Sequence, residues 1–289
     1  MTERLALERE AMRSALQLRR SRSIAREDAV NVYDIADAIG VTVRFADRPS
    51  LEGMFFRGPH PIIVLPSLHH RPHGRVTFTC AHELGHFALG HGTRVDKYIT
   101  DEIQTERKPD EEIAADTFAS SLLMPRPAVL HRFRLRAWDP ATASPLQLFM
   151  VAGELDVGYE TLLKHLTYNL RLVDETWLRR RQQTTPKLLR SRILGNHTAR
   201  RVVLVDDLWP DIPLDIEVGE CVALPKHLEV DTSGPLSDIG VNDPWRLLTA
   251  LRPGRTRIDV QGRFLDVRVA RYGYCGDLKY RFLEDPEAI

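Results

Sequence analysis

Few cysteines, no long apolar run and no net charge: each of these shortages narrows what the chain can be. The three cysteines, Cys80, Cys221 and Cys275, are odd in number and far apart, which excludes a disulfide scaffold and fits a reducing compartment. No stretch is apolar over a transmembrane length, so no membrane partner is expected. The opening residues, MTERLALEREAMRSALQLRRSRS, are charged and amphipathic and hold no apolar signal-peptide core, which points to a cytoplasmic protein. Forty basic residues balance 40 acidic ones. Nothing global therefore asks for nucleic acid as the main ligand. Internal repeats and low-complexity tracts are also missing.

What is present is a chain of 289 residues, 43% hydrophobic and 28% charged, long enough for two or three domains. Its chemistry is concentrated in His82-Glu83-Leu84-Gly85-His86. On a helix, positions i and i+4 share a face, so two imidazoles can bind one metal ion from adjacent turns. Glu83 then stands beside the attacking water and can take its proton. Val76, Phe78, Cys80 and Ala81 precede the motif, and Leu84, Phe87, Ala88 and Leu89 lie within or after it. Burying two His and a Glu in so apolar a helix is costly unless a metal or hydrogen bonds compensate.

Ahead of the motif, Leu5, Leu7, Met12, Leu16 and Leu18, then Val32, Ile35, Ala36 and Ile39, carry helical spacing, and Gly40 marks a stop. Residues 41–45, 54–56 and 61–65 read as strands of a small antiparallel sheet whose edge could receive an extended substrate. A polar segment, 92–109, follows. Then Ala115, Phe118, Ala119 and Leu122 define a buried helical face ended by Pro125. Residues 126–175 read as helical. Within them an apolar helix, a turn with Gly158 and a second apolar helix have helix-turn-helix spacing. Residues 176–201 hold eight basic residues and no acidic one, and read as an exposed linker. Five short runs, 202–205, 220–224, 256–260, 264–269 and 279–282, read as strands of a β-rich domain.

A catalytic zinc needs a third protein ligand. The elongated HExxHxxGxxH motif would require His at 92, where Gly92 stands; His91 falls one residue short and reads as helix-end or a neighbour of the ligands. Cys80 points to another face. A downstream carboxylate remains. Glu112 is best placed, Glu111 competes, and periodicity does not separate them. Asp116, one turn on, could hold the free ring nitrogen of a ligand His. His91, Tyr98 and Arg94 are candidates for stabilising the oxyanion.

Phe78-Thr79-x-Ala81-His82-Glu83-Leu84-Gly85-His86 resembles the signature of the ImmA/IrrE metallopeptidases, as does Glu112-x-x-Ala115-Asp116-x-Phe118-Ala119-x-x-Leu122-Leu123-Met124-Pro125. The likeness is specific over residues 28–125 and weaker beyond. It implies His82, His86 and Glu112 as ligands of one ion per chain, Zn²⁺ or Mn²⁺, with Glu83 as base. One departure is Ala114, where many relatives carry a second Glu. The layout is similar to that of the IrrE branch. It implies an α+β chain with a zincin-like peptidase domain (1–125), a helix-turn-helix-like domain (126–178) and a GAF-like sensor domain (185–289). Members cleave helix-turn-helix repressors, which switches on a stress response, in this branch the one to radiation and DNA damage. The rival expectation is a transcription regulator that binds DNA directly through its middle domain.

Overall fold

Ala11, Ala15 and Arg19 recur every four residues, and they form the buried stripe of α1 (Thr2–Ser21). The helix forms where the spacing of Leu5, Leu7, Met12, Leu16 and Leu18 predicts one, although Leu5 and Met12 are exposed. Small side chains let α1 lie close to α4 (Asp110–Leu123), and Arg19 reaches into the contact. Its guanidinium donates to the carbonyls of Leu122 (2.8 Å), Ala25 (2.8 Å) and Asp28 (2.6 Å). Burial lowers its pKa to about 10, against the pull of Asp28 and Glu27. The structure is a computed structural model that describes residues 2–97, 108–228 and 234–284.

The described chain is mixed α+β and divides into two compact units. The first comprises Met1–Leu130, Leu155–Val157 and Gly273–Leu278; the second comprises His131–Glu154, Gly158–Tyr272 and Lys279–Ile289. In the first unit Asn31 caps α2 (Val32–Ala38), accepting from the N–H groups of Tyr33 and Asp34. Gly40, in a left-handed conformation, follows the helix as its spacing predicts.

The sheet of this unit is mixed, not antiparallel. Its order is β12-β1-β3-β2-β4, with β1 at Thr42–Ala46, β2 at Leu51–Phe56, β3 at Ile62–Pro66, β4 at Arg94–Lys97 and β12 at Gly276–Asp277. β1 runs parallel to β3, while β2 pairs antiparallel with both β3 and β4. The polar segment expected at 92–109 thus supplies an edge strand. The other edge comes from the far end of the chain, where Asp277 pairs with Arg44. Val43, Phe45, Phe55, Ile63 and Leu65 alternate inward and are buried beneath α2 and α3 (His73–Ala88).

The second unit takes in α6 (Pro145–Glu154), α7 (Tyr159–Lys164, continued by a π-helical turn to Asn169), α8 (Glu175–Gln182) and α9 (Pro186–Leu194); α5 (Arg126–Leu135) spans the division between the units along the chain. Residues 176–201 are therefore not a linker. Asp174 caps α8 through the N–H of Trp177, and Thr185 with Pro186 starts α9. Leu178, Leu189, Ile193 and Leu194 are buried.

A four-stranded sheet, β5-β7-β9-β8 (Val202–Leu204, Cys221–Pro225, Trp245–Ala250, Leu236–Asn242), buries both faces. Val203, Val222, Leu224 and Leu248 face the core shared with β10-β11-β6 (Gly254–Val260, Arg263–Ala270, Leu214–Glu217); Val202, Leu204, Cys221 and Leu247 face α6 and α9. The strand expected at 279–282 does not form. A 3-10 turn, Leu278–Tyr280, stands there, next to the two-residue β12. Among the described residues, no helix is long and apolar enough to cross a membrane.

Candidate metal centre

The motif helix ends just after its second histidine, and the manner of ending matters. Gly90 takes a left-handed conformation (φ 76°), its N–H bonds to Phe87 O, and the N–H of His91 bonds to His86 O at 2.9 Å. These two bonds are a Schellman motif. They fold His91 back so that its Nδ1 lies 2.8 Å from Nδ1 of His86.

On the same helix His82 and His86 project their Nε2 atoms to within 3.0 Å of each other. Glu112, in the first turn of α4, joins them: Oε2 is 3.1 Å from His82 Nε2, and Oε1 is 3.4 Å from His86 Nε2. Of the two glutamates that compete in the sequence, it is Glu112 that meets both imidazoles. One ligand atom from each of the three residues lies within 4.8 Å of the others. All three side chains are largely or wholly withdrawn from solvent: His86 is 0% exposed, His82 10% and Glu112 18%.

Asp116 lies one helical turn beyond Glu112. Its Oδ1 is 2.9 Å from His82 Nδ1, and its Oδ2 receives Lys108 Nζ at 2.5 Å. A doubly protonated His82 donates from Nδ1 to Asp116 and from Nε2 to Glu112; loss of the Nε2 proton would leave a lone pair there for a metal. The hydrogen bond from His82 holds the Glu112 carboxyl below its ordinary range, against the effect of burial, with help from the charges of His82, His86 and Lys108. Burial acts to raise Asp116, but His82 and Lys108 outweigh it and its pKa is lowered. Both carboxylates are thus held ionised beside two imidazoles.

Two glycines set these distances. At Gly85, between the two histidines, a Cβ would lie 3.2 Å from the backbone Cα of Ala115 and 3.2 Å from Phe118 Cβ. The missing side chain lets α4 press against α3, which carries Glu112 to the imidazoles. Gly53 sits at a register shift of β2, where a Cβ would lie 2.3 Å from Oε1 of Glu83. Glu83 is wholly buried, with its carboxylate against β2. Beside it Glu52 accepts from Arg75 Nε at 2.6 Å and from Thr79 Oγ1 at 3.4 Å. The sequence reading did not single out Glu52, Arg75 or Lys108, and no spacing rule marks them.

The other candidates fall elsewhere. Cys80 is a buried free thiol whose pKa is pushed up by burial, on a different face of α3. Tyr98, and the side chain of Arg94, lie outside the described residues.

The donor set suits a divalent ion. A tetrahedron with bonds of about 2.0–2.1 Å has edges of about 3.3 Å; the two Nε2 atoms lie 3.0 Å apart, and one oxygen of Glu112 approaches each of them, Oε2 at 3.1 Å from His82 and Oε1 at 3.4 Å from His86. No curated protein matches the chain. Residues 36–167 match the family model of the IrrE N-terminal-like domain, peptidase M78. The match starts in α2 and ends in the π-helical turn after α7, so it reaches well past the 28–125 over which the sequence likeness is specific. This domain, which holds the whole histidine–carboxylate cluster, is similar to the peptidase domain of the ImmA/IrrE family.

Proposed function

We propose that the chain is a metal-dependent, site-specific endopeptidase. The observation that carries this reading is the convergence of His82, His86 and Glu112 one residue away from a buried Glu83. His82, His86 and Glu112 would hold one Zn²⁺ or Mn²⁺ ion; two imidazoles and a carboxylate suit either. Such an ion supplies Lewis-acid polarisation of a peptide carbonyl and a more acidic water. Glu83 takes the proton from the attacking water and passes it to the leaving amine. Asp116 and His91 keep the two imidazoles in the tautomer and orientation that present Nε2. Three protein donors leave room for water and substrate, as a catalytic site requires.

The substrate on this reading is a helix-turn-helix repressor, whose cleavage releases a stress response such as that to radiation and DNA damage. The match of residues 36–167 to the IrrE N-terminal-like domain supports it. Incubation with candidate repressors plus Zn²⁺, Mn²⁺ or a chelator, followed by mass analysis of the fragments, tests it. One defined cut, lost with chelator and lost in Glu83→Gln while that variant still takes up metal, is the expected result. Undiminished cleavage by Glu83→Gln would overturn the mechanism. Intact repressors under every metal condition would overturn the substrate. The β-rich part, 185–289, is then the candidate sensor. Its deletion would also strip β12 from the sheet of the first unit, so point variants in the β5-β7-β9-β8 sheet are the cleaner test of sensing.

A further inference from the structure

We propose that Asp47, His69 and His70 form a second site for a divalent transition-metal ion. The site shares no residue with the His82–His86–Glu112 cluster and does not depend on the peptidase reading. Asp47 directly follows β1, and His69 and His70 lie just beyond β3. These strands are parallel neighbours, so their C-terminal ends lie side by side, and Ser67 N bonds to Ala46 O across them at 2.9 Å. A tight turn, closed by His70 N to Ser67 O at 3.0 Å, brings the two imidazoles together with centroids 3.7 Å apart.

Both Nε2 atoms then aim at one carboxylate oxygen. Asp47 Oδ1 is 2.6 Å from His70 Nε2 and 3.5 Å from His69 Nε2, and one ligand atom from each of the three residues lies within 4.8 Å of the others. Two imidazole nitrogens that converge on one carboxylate oxygen form a donor set that a metal ion can use.

The surroundings hold the rings in that pose. Nδ1 of His69 lies 2.9 Å from the hydroxyl of Ser67, itself wholly buried, which anchors the ring while Nε2 faces Asp47. Arg71 staples the two loops, donating to His70 O at 2.9 Å and to Pro49 O at 2.6 Å. Gly273, left-handed at φ 63°, backs the His69 ring so closely that a Cβ there would sit 3.2 Å from Nδ1. The Asp47 side chain is 70% exposed, which leaves room for waters to complete the coordination. Two imidazoles and one carboxylate favour Zn²⁺, Co²⁺, Ni²⁺ or Cu²⁺ over Mg²⁺ and Ca²⁺. An ion there would clip the ends of β1 and β3 together and raise the thermal stability of the first unit.

Equilibrium dialysis of the full chain against Zn²⁺ and Co²⁺, with metal counting and thermal melts, tests the proposal. The wild type should bind about two ions, and His69→Ala/His70→Ala and His82→Ala/His86→Ala about one each. Asp47→Asn, an exposed and conservative change, should weaken the second ion about 10- to 100-fold without altering the fold. Were the motif site to bind no ion, the wild type would hold about one and the His69/His70 variant none, which still supports the proposal. Equal metal content in wild type, the His69/His70 variant and Asp47→Asn overturns it, as does complete loss of binding in a folded His82/His86 variant.

Discussion

Gly53 of β2 and Glu83 of α3 share one volume: a methyl group on Gly53 would stand 2.3 Å from Glu83 Oε1 and 2.6 Å from Thr79 Cγ2. The strand thus yields its side chain to the carboxylate proposed as the base. The register shift of β2 at this point has the same effect, since it lets the backbone approach the helix. An inner strand of the sheet and the motif helix are in this way fitted to each other through one missing Cβ.

On the proposed endopeptidase reading, Gly53→Ala should therefore cut peptide-bond cleavage by roughly 10- to 1,000-fold while leaving metal content near one ion at the motif site. The β-branched Thr79 and the buried Glu83 have little room to move, so a stability loss of roughly 1–3 kcal/mol should accompany it. Cleavage kinetics and a denaturant melt on the same preparation give both quantities. Wild-type turnover in Gly53→Ala would mean that the position of Glu83 is not critical.

Asp116 touches a proposed ligand but not the space between the ligands, so its part is to position His82. Asp116→Asn keeps the size and can still meet the ring, but it loses the charge that favours a proton on Nδ1. Metal affinity at the motif site should fall about 10- to 100-fold, read by competition with a chromophoric chelator. His91→Ala should weaken binding through His86 in the same sense. Unchanged affinity in both variants would show that the Nδ1 contacts are incidental.

Arg19 joins α1 to the end of α4 through Leu122 O and to the loop after α1 through Ala25 O and Asp28 O. Arg19→Met would leave the carbonyls of Leu122, Ala25 and Asp28 without it and should destabilise the first unit by roughly 3–5 kcal/mol. Arg19→Lys should not restore this, because one ammonium cannot reproduce the planar fork that spans three acceptors. Urea melts of the three proteins decide the matter; equal midpoints for Arg19→Lys and wild type would show that charge alone suffices.

The motif was legible because its information is local: His82, Glu83 and His86 lie within one and a half turns, and helix geometry does the rest. The choice between Glu111 and Glu112 was not, because the phase of α4 against α3 is fixed by the contact of Gly85 with Ala115 and Phe118. Leucine spacing marks α1 as a helix but not its buried stripe, which is built from two alanines and an arginine. Arginine density hid α8 and α9, although Asp174 and the pair Thr185-Pro186 are ordinary start signals. The return of Gly276–Asp277 to the first sheet left no trace, since two residues carry no periodicity.

In the second unit, Glu154 lies wholly buried against Arg136, which also binds Asp206 through Nε (2.8 Å) and Nη2 (2.6 Å). Burial pushes the Glu154 carboxyl up to about 7 from 4.5, against the pull of Arg136 and Arg132. Below the lower value the group is protonated in both folded and unfolded chains. Between the two values only the folded chain holds the proton, and above the higher one neither does. Its contribution to stability is therefore complete at acid pH and is lost as pH rises through about 7. The loss amounts to roughly 3 kcal/mol. Glu154→Gln imitates the protonated acid at every pH, so the variant should gain on wild type by about that amount between roughly pH 5 and pH 8. Chemical denaturation of both proteins at half-unit intervals measures the difference. A constant difference across the window would mean that Arg136 keeps Glu154 ionised throughout, with the pair acting as a plain buried salt bridge.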